Sequence, residues 1–79
     1  MTLSEIVELH PDVEFLKADG FDECVIGFDV AKFRLVYDAG KIIEQMVNDG
    51  MDEDDAYEFF EYNISGAYVG EQTPIYVRL

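Results

Sequence analysis

The densest set of ionisable side chains in the chain is Asp52, Glu53, Asp54 and Asp55, with Asp49 just before it and Glu58 and Glu61 just after. Several carboxylates so close together raise the question of a hard cation, which needs several oxygens converging on one point. Four consecutive helical residues instead point about 100° apart, so their carboxylates diverge. The glycine and terminal glutamate of an EF-hand loop are missing as well. No metal site and no cofactor site are expected. Cys24 and His10 are the only pair resembling a nucleophile and its base, but they fall on unrelated elements and lack an orienting third group. Gly66 and Gly70 follow a helix and no lysine succeeds them, so they do not form a phosphate loop. No catalytic residue emerges, and the chain reads as a non-enzyme.

The carboxylates offer a different chemistry. Asp54, Glu58 and Glu61 are spaced i, i+4, i+7, which places them along one ridge of a helix, roughly 5–6 Å apart. Asp49, Asp52, Glu53 and Asp55 extend the negative field at one end. Phosphates along a nucleic-acid strand repeat on a comparable scale, on the order of 6–7 Å. Such a row could occupy a groove built for nucleic acid, where Lys and Arg of the partner would supply charge-assisted hydrogen bonds. The competing reading is a solvated helix face, which most charge runs are.

The charge of the whole chain points the same way. Eighteen Asp and Glu oppose five Lys and Arg, a formal net charge of −13 in 79 residues. That balance disfavours direct contact with nucleic acid or an anionic membrane, both polyanions. It fits a basic protein partner, or an acidity that serves only solubility. Helix-turn-helix DNA binding is disfavoured on the same ground, since the second helix of the pair carries no Lys or Arg. The single Cys24 cannot form an internal disulfide, and no apolar stretch approaches the roughly 20 residues of a membrane span. The first nine residues carry Glu5 and Glu8 and no base, unlike a signal peptide. A cytoplasmic location is expected.

Residues 1–79 read as one domain. Hydrophobic residues make up 49% of the chain, with six Phe and five Tyr, enough to support a core. Thr2 or Ser4 would cap a short helix bearing Leu3, Ile6, Val7 and Leu9, which Pro11 ends. Val13 to Ala18 fits either strand or helix. Asp19-Gly20 marks a turn. Cys24, Ile26, Phe28 and Val30 alternate with Glu23, Gly27 and Asp29, predicting a half-buried strand over 21–30. Phe33, Leu35 and Tyr37 repeat the alternation, and the two runs predict a hairpin turning near Asp29 to Lys32.

Asp38 would cap a helix with Ile42, Ile43, Met46 and Val47 on one face and Lys41, Glu44, Gln45 and Asn48 on the other. Gly50 stops it. Asp52 would cap the next helix, with Asp55 placed as in a capping box. Ala56, Tyr57, Phe60 and Ile64 line its inner face, and it ends near Ser65-Gly66. Pro74 suits the start of a last strand over 75–79. The expected architecture is α+β, in the order α-β-β-α-α-β: a small three-stranded, mainly antiparallel sheet with two or three helices packed on one face. The pairing of the last strand stays open.

Between the second helix and the last strand runs Gly66-Ala67-Tyr68-Val69-Gly70-Glu71, then Thr73-Pro74. Its glycines and proline imply an ordered turn. As a recognition loop it would add Tyr68 and Glu71 to the contact set. As a connector it would use Glu71, Thr73 and Asn63 for local hydrogen bonds. Asp52 to Asn63 together with this turn, Glu61 to Pro74 above all, resembles a group of small acidic uncharacterised proteins of bacteriophages and bacteria. The resemblance covers roughly Phe33 to Val77 and carries over no catalytic residue. It implies a phage or mobile-element setting and, if phage-encoded, the host cytoplasm. In that setting the expected role is inhibition of a host defence, as an anti-CRISPR protein or similar, with DNA mimicry as the mechanism. The alternative is a structural or protein-interaction module, a homodimer joined through Phe59, Tyr62 and an open sheet edge.

Overall fold

A computed structural model describes residues 1–79. Helix α1, Leu3–Leu9, starts at Thr2, whose hydroxyl accepts from the Glu5 amide while the Glu5 carboxylate accepts from the Thr2 amide. This reciprocal pair satisfies two donors that a helix start otherwise leaves open. It also holds the Glu5 carboxyl below the ordinary carboxylate range, through the Thr2 backbone and then its side chain. The helix stops before Pro11. Only Ile6 of its apolar residues is buried, whereas Val7 and Leu9 face outward. Val13 to Ala18 is neither strand nor helix.

Strands β1, Val25–Asp29, and β2, Arg34–Asp38, form the expected antiparallel hairpin. β1 is shorter and less regular than its alternation predicts. Asp22–Cys24 winds into a 3-10 turn, and the register slips between Val25 and Gly27. One extra residue on one strand reverses which side chains face inward. Cys24 in the 3-10 turn and Val25 at the strand's start are both buried, and Val30 falls in the hairpin turn, 76% exposed. Phe33 also leaves the predicted strand. It closes the four-residue turn with φ of 56°, a left-handed conformation costly for a residue with a Cβ. Its ring stacks on Phe28 at 6.5 Å. Leu35 and Tyr37 are fully buried on one side of β2, as predicted.

Helix α2, Ala39–Asn48, is capped by Asp38, whose Oδ1 accepts from the Lys41 amide at 3.1 Å. Ile42, Ile43 and Met46 are buried, and Gly50 at φ of 112° turns the chain beyond its end. Helix α3, Glu53–Phe59, follows and widens into a π-helical segment over Phe60–Ser65. Strand β3, Ile75–Val77, lies parallel to β2, which becomes the central strand. The sheet is thus mixed rather than mainly antiparallel. A helical crossover returns the chain to its starting end, which is the connection parallel neighbours require. Ile6, Leu35, Tyr37, Ile42, Ala56, Phe60 and Ile64 meet in one core, so all three helices and the sheet share it.

Two polar ties fix the irregular 10–24 stretch. The Ala18 amide donates to the Tyr37 hydroxyl at 2.8 Å. Gln45, expected on the outer face of α2, donates to the Gly20 carbonyl at 2.7 Å and accepts from the Cys24 thiol at 3.6 Å. Burial pushes the Cys24 thiol and the Tyr37 and Tyr76 phenols above their ordinary pKa values. No helix is long and apolar enough to cross a membrane.

Candidate functional site: an acidic helical ridge

The backbone from Glu53 to Ser65 is helical throughout, so the carboxylates of this stretch stand on a continuous rod. Asp52, Glu53, Asp54, Asp55, Glu58 and Glu61 are all exposed, as are Tyr68 and Glu71 of the following turn. The rod is held from beneath by Ala56, Phe60 and Ile64, all buried at i, i+4, i+8. Acids in the first turn also sit at the positive end of the helix dipole.

None of these carboxylates forms an ion pair. The one salt bridge in the molecule joins Arg34 to Asp29 in the hairpin turn, at 3.1 Å. From Ile42 to Val77 the sequence contains no Lys or Arg. The Arg78 guanidinium lies over the Tyr57 ring of α3, 5.1 Å from the centroid, and forms no ion pair with a carboxylate. Tyr57, expected on the inner face, is accordingly 38% exposed. No base of the domain forms an ion pair with the ridge, although Arg78 lines a depression with Glu53 and Tyr57 at its first turn.

Two details of the expected ridge are corrected. Asp52 stands at the N-cap position, but its side chain bonds no backbone amide, so the capping arrangement with Asp55 does not form. Its carboxylate stays free in solvent. Glu61 belongs to the π-helical segment, whose wider turn advances each residue by less than an α-helical step. The straight row predicted from α-helical spacing holds from Asp54 to Glu58, and Glu61 stands beyond the junction. The wide turn closes against Gly66, where a Cβ would come within 3.0 Å of the Glu61 carbonyl.

The turn after α3 is ordered from within. The Thr73 hydroxyl accepts from the Val69 amide at 2.9 Å and donates to the Gly70 carbonyl at 2.6 Å. Glu71 makes no hydrogen bond and projects from this turn, as does Tyr68, which is 77% exposed. Asn63 does not bond the helix end but lines a groove beside it.

Other chemistry-bearing residues lie apart. Cys24 rests against Gln45, whereas His10 packs edge-on against Phe28 and Phe33 at 4.9 and 5.5 Å. His10 is thus part of an aromatic cluster that its sequence position beside Pro11 does not announce. No three His, Cys, Asp or Glu side chains are grouped to hold a metal ion. In comparisons with protein families, with curated proteins and with solved structures, the chain finds no match.

Proposed function

We propose that this chain is a non-enzymatic acidic protein that binds a basic, nucleic-acid-handling protein and blocks its nucleic-acid site. The α3 carboxylates take the place of phosphates in that reading, and Tyr68 and Glu71 extend the contact from the adjoining turn. The observation that carries it is the unpaired state of Asp54, Glu58 and their neighbours on an exposed helix. A field of one sign steers an oppositely charged partner and raises the association rate, with strong dependence on salt. The phage-like resemblance of residues 33–77 suggests the setting, inhibition of a host defence effector such as a CRISPR nuclease, in the host cytoplasm.

Affinity capture from a bacterial lysate at 50 mM and 500 mM NaCl tests the proposal. Basic nucleic-acid-binding proteins should be retained at low salt and released at high salt. Recovery of no such protein at low salt would remove the reading.

A homodimer is the second reading, favoured by the exposure of Phe59 and of Tyr62, the latter at 80%. Sedimentation separates the two. A dimer that persists at high salt supports it, and a monomer at high protein concentration rules it out.

A further inference from the structure

Beside the ridge runs a groove of about 300 Å³, where the loop at Lys17 to Phe21 faces the end of α3 and the turn that follows. Its walls are mostly apolar: Phe21, Phe59, Ile64, Ala67, Val69 and Pro74. Its two charged residues, Lys17 and Asp19, are of opposite sign. Across Phe59 and Asn63 lies a shallow hollow bounded by Met51, Asp55, Glu58 and Tyr62. Phe59 and Asn63 border both depressions. One wall thus separates an apolar slot from a pair of free carboxylates beside an exposed phenol ring. A volume near 300 Å³ is at the small end for a ligand site, which suits one inserted side chain better than a large small molecule.

We propose that groove and hollow together receive one segment of a protein partner, carrying an aliphatic side chain beside an arginine. The inference rests on the ridge reading and deepens it. The aliphatic group enters between Phe21, Phe59, Ile64 and Val69. The guanidinium settles on Asp55 and Glu58 against the Tyr62 ring. Arginine suits that place better than lysine because its planar, weakly hydrated fork binds carboxylates in two bonds and stacks on aromatic faces. Nucleic acid cannot serve, since its phosphates would meet Asp55 and Glu58. A second copy of the chain is a poor source, because both of its arginines are engaged: Arg34 pairs with Asp29, and Arg78 covers Tyr57. The two depressions do different work. Charge on the ridge speeds encounter and is screened by salt, whereas apolar burial slows departure and is not.

The test is an NMR titration of the ¹⁵N-labelled protein with three synthetic hexapeptides at 50 and 300 mM NaCl. One contains two leucines and two arginines between glycines. The second replaces the leucines by glycine, and the third replaces the arginines by lysine. The first peptide should shift the amides of Phe59, Asn63, Ala67 and Val69. It should reach half-saturation at a concentration at least about fivefold below the second, on the order expected for partly burying one aliphatic group. The lysine peptide should be weaker than the first. Val69→Asp changes an exposed residue and should abolish the leucine advantage while leaving arginine binding in place. Equal affinity of the first two peptides, with shifts confined to residues 52–61, overturns the groove and leaves the ridge standing. A leucine advantage that survives Val69→Asp also overturns the groove. No binding of any peptide at 50 mM NaCl removes groove and ridge together. Salt-independent self-association with shifts at Phe59 and Val69 assigns the groove to a second copy and contradicts the proposal.

Discussion

The hairpin and the helical crossover use the same acidic residue types in opposite ways. In the hairpin, Asp29 accepts from the amides of Ala31 and Lys32 and from Arg34 Nε. Burial alone would raise its carboxyl; the bonds from Arg34, Ala31 and Lys32 outweigh burial and hold it below the ordinary range. Asp38 likewise accepts from Lys41 and is buried. In the crossover, Asp52, Asp54, Asp55, Glu58 and Glu61 have no such partners and face solvent. Carboxylates of the first region build the fold. Those of the second make no hydrogen bond or ion pair, and their link to the fold is the weak field of the α3 dipole at its first turn. The difference separates acidity bonded within the domain from acidity left open to solvent.

The sharpest perturbation strikes where the two regions join. Ile42 is fully buried between them, so Ile42→Ala should lose about 2–5 kcal/mol in chemical denaturation, on the scale of buried aliphatic truncations. Tyr37→Phe tests the tie from the sheet to the 10–24 stretch. It leaves the Ala18 amide without its partner and should cost about 1–3 kcal/mol. The phenol pKa of Tyr37 is raised in the fold. Its contribution is therefore complete below the unfolded value near 10 and is lost as pH rises towards the folded value. A pH titration of stability should show an alkaline fall, reduced in Tyr37→Phe.

The two helix caps provide a finer contrast. Asp38→Ala removes a bonded, buried cap and should cost about 1 kcal/mol, whereas Asp52→Ala removes an unbonded one and should cost only a few tenths. Equal losses would show that Asp52 is structural after all and would blur the division between the regions. At the low end, replacing Asp54, Glu58 and Glu61 together by Lys should not destabilise the fold. It relieves repulsion in a chain of net charge −13, and the melting temperature should stay level or rise, most visibly at low salt.

Much of the fold is legible in the sequence because its signals are local. Thr2, one of the two cap candidates, Asp38 before α2 and Gly50 after it each mark a boundary through a single side chain or backbone conformation. Leu35 and Tyr37 alternate cleanly because β2 is central and regular. What was hidden depends on contacts distant in sequence. The slip at Val25–Gly27 and the left-handed Phe33 break an alternation that reads perfectly well in one dimension. The parallel pairing of β3 needs a partner strand that parity does not name. The wide turn from Phe60 to Ser65 rests on Gly66 approaching the Glu61 carbonyl. For the candidate site, exposure of the carboxylates followed from their spacing. The groove did not, because Phe21 and Val69 become neighbours only in the folded chain.

The central claim is that free carboxylates on α3 attract a basic protein, and charge reversal addresses it most directly. Wild-type protein and the Asp54→Lys, Glu58→Lys, Glu61→Lys variant are compared for affinity to the partner captured at low salt, as a function of NaCl concentration. The account predicts that the wild type binds with an affinity falling steeply as salt rises. It predicts that the folded variant loses at least about 10-fold at 50 mM NaCl and most of the salt slope. Unchanged affinity and an unchanged slope in the variant would contradict it.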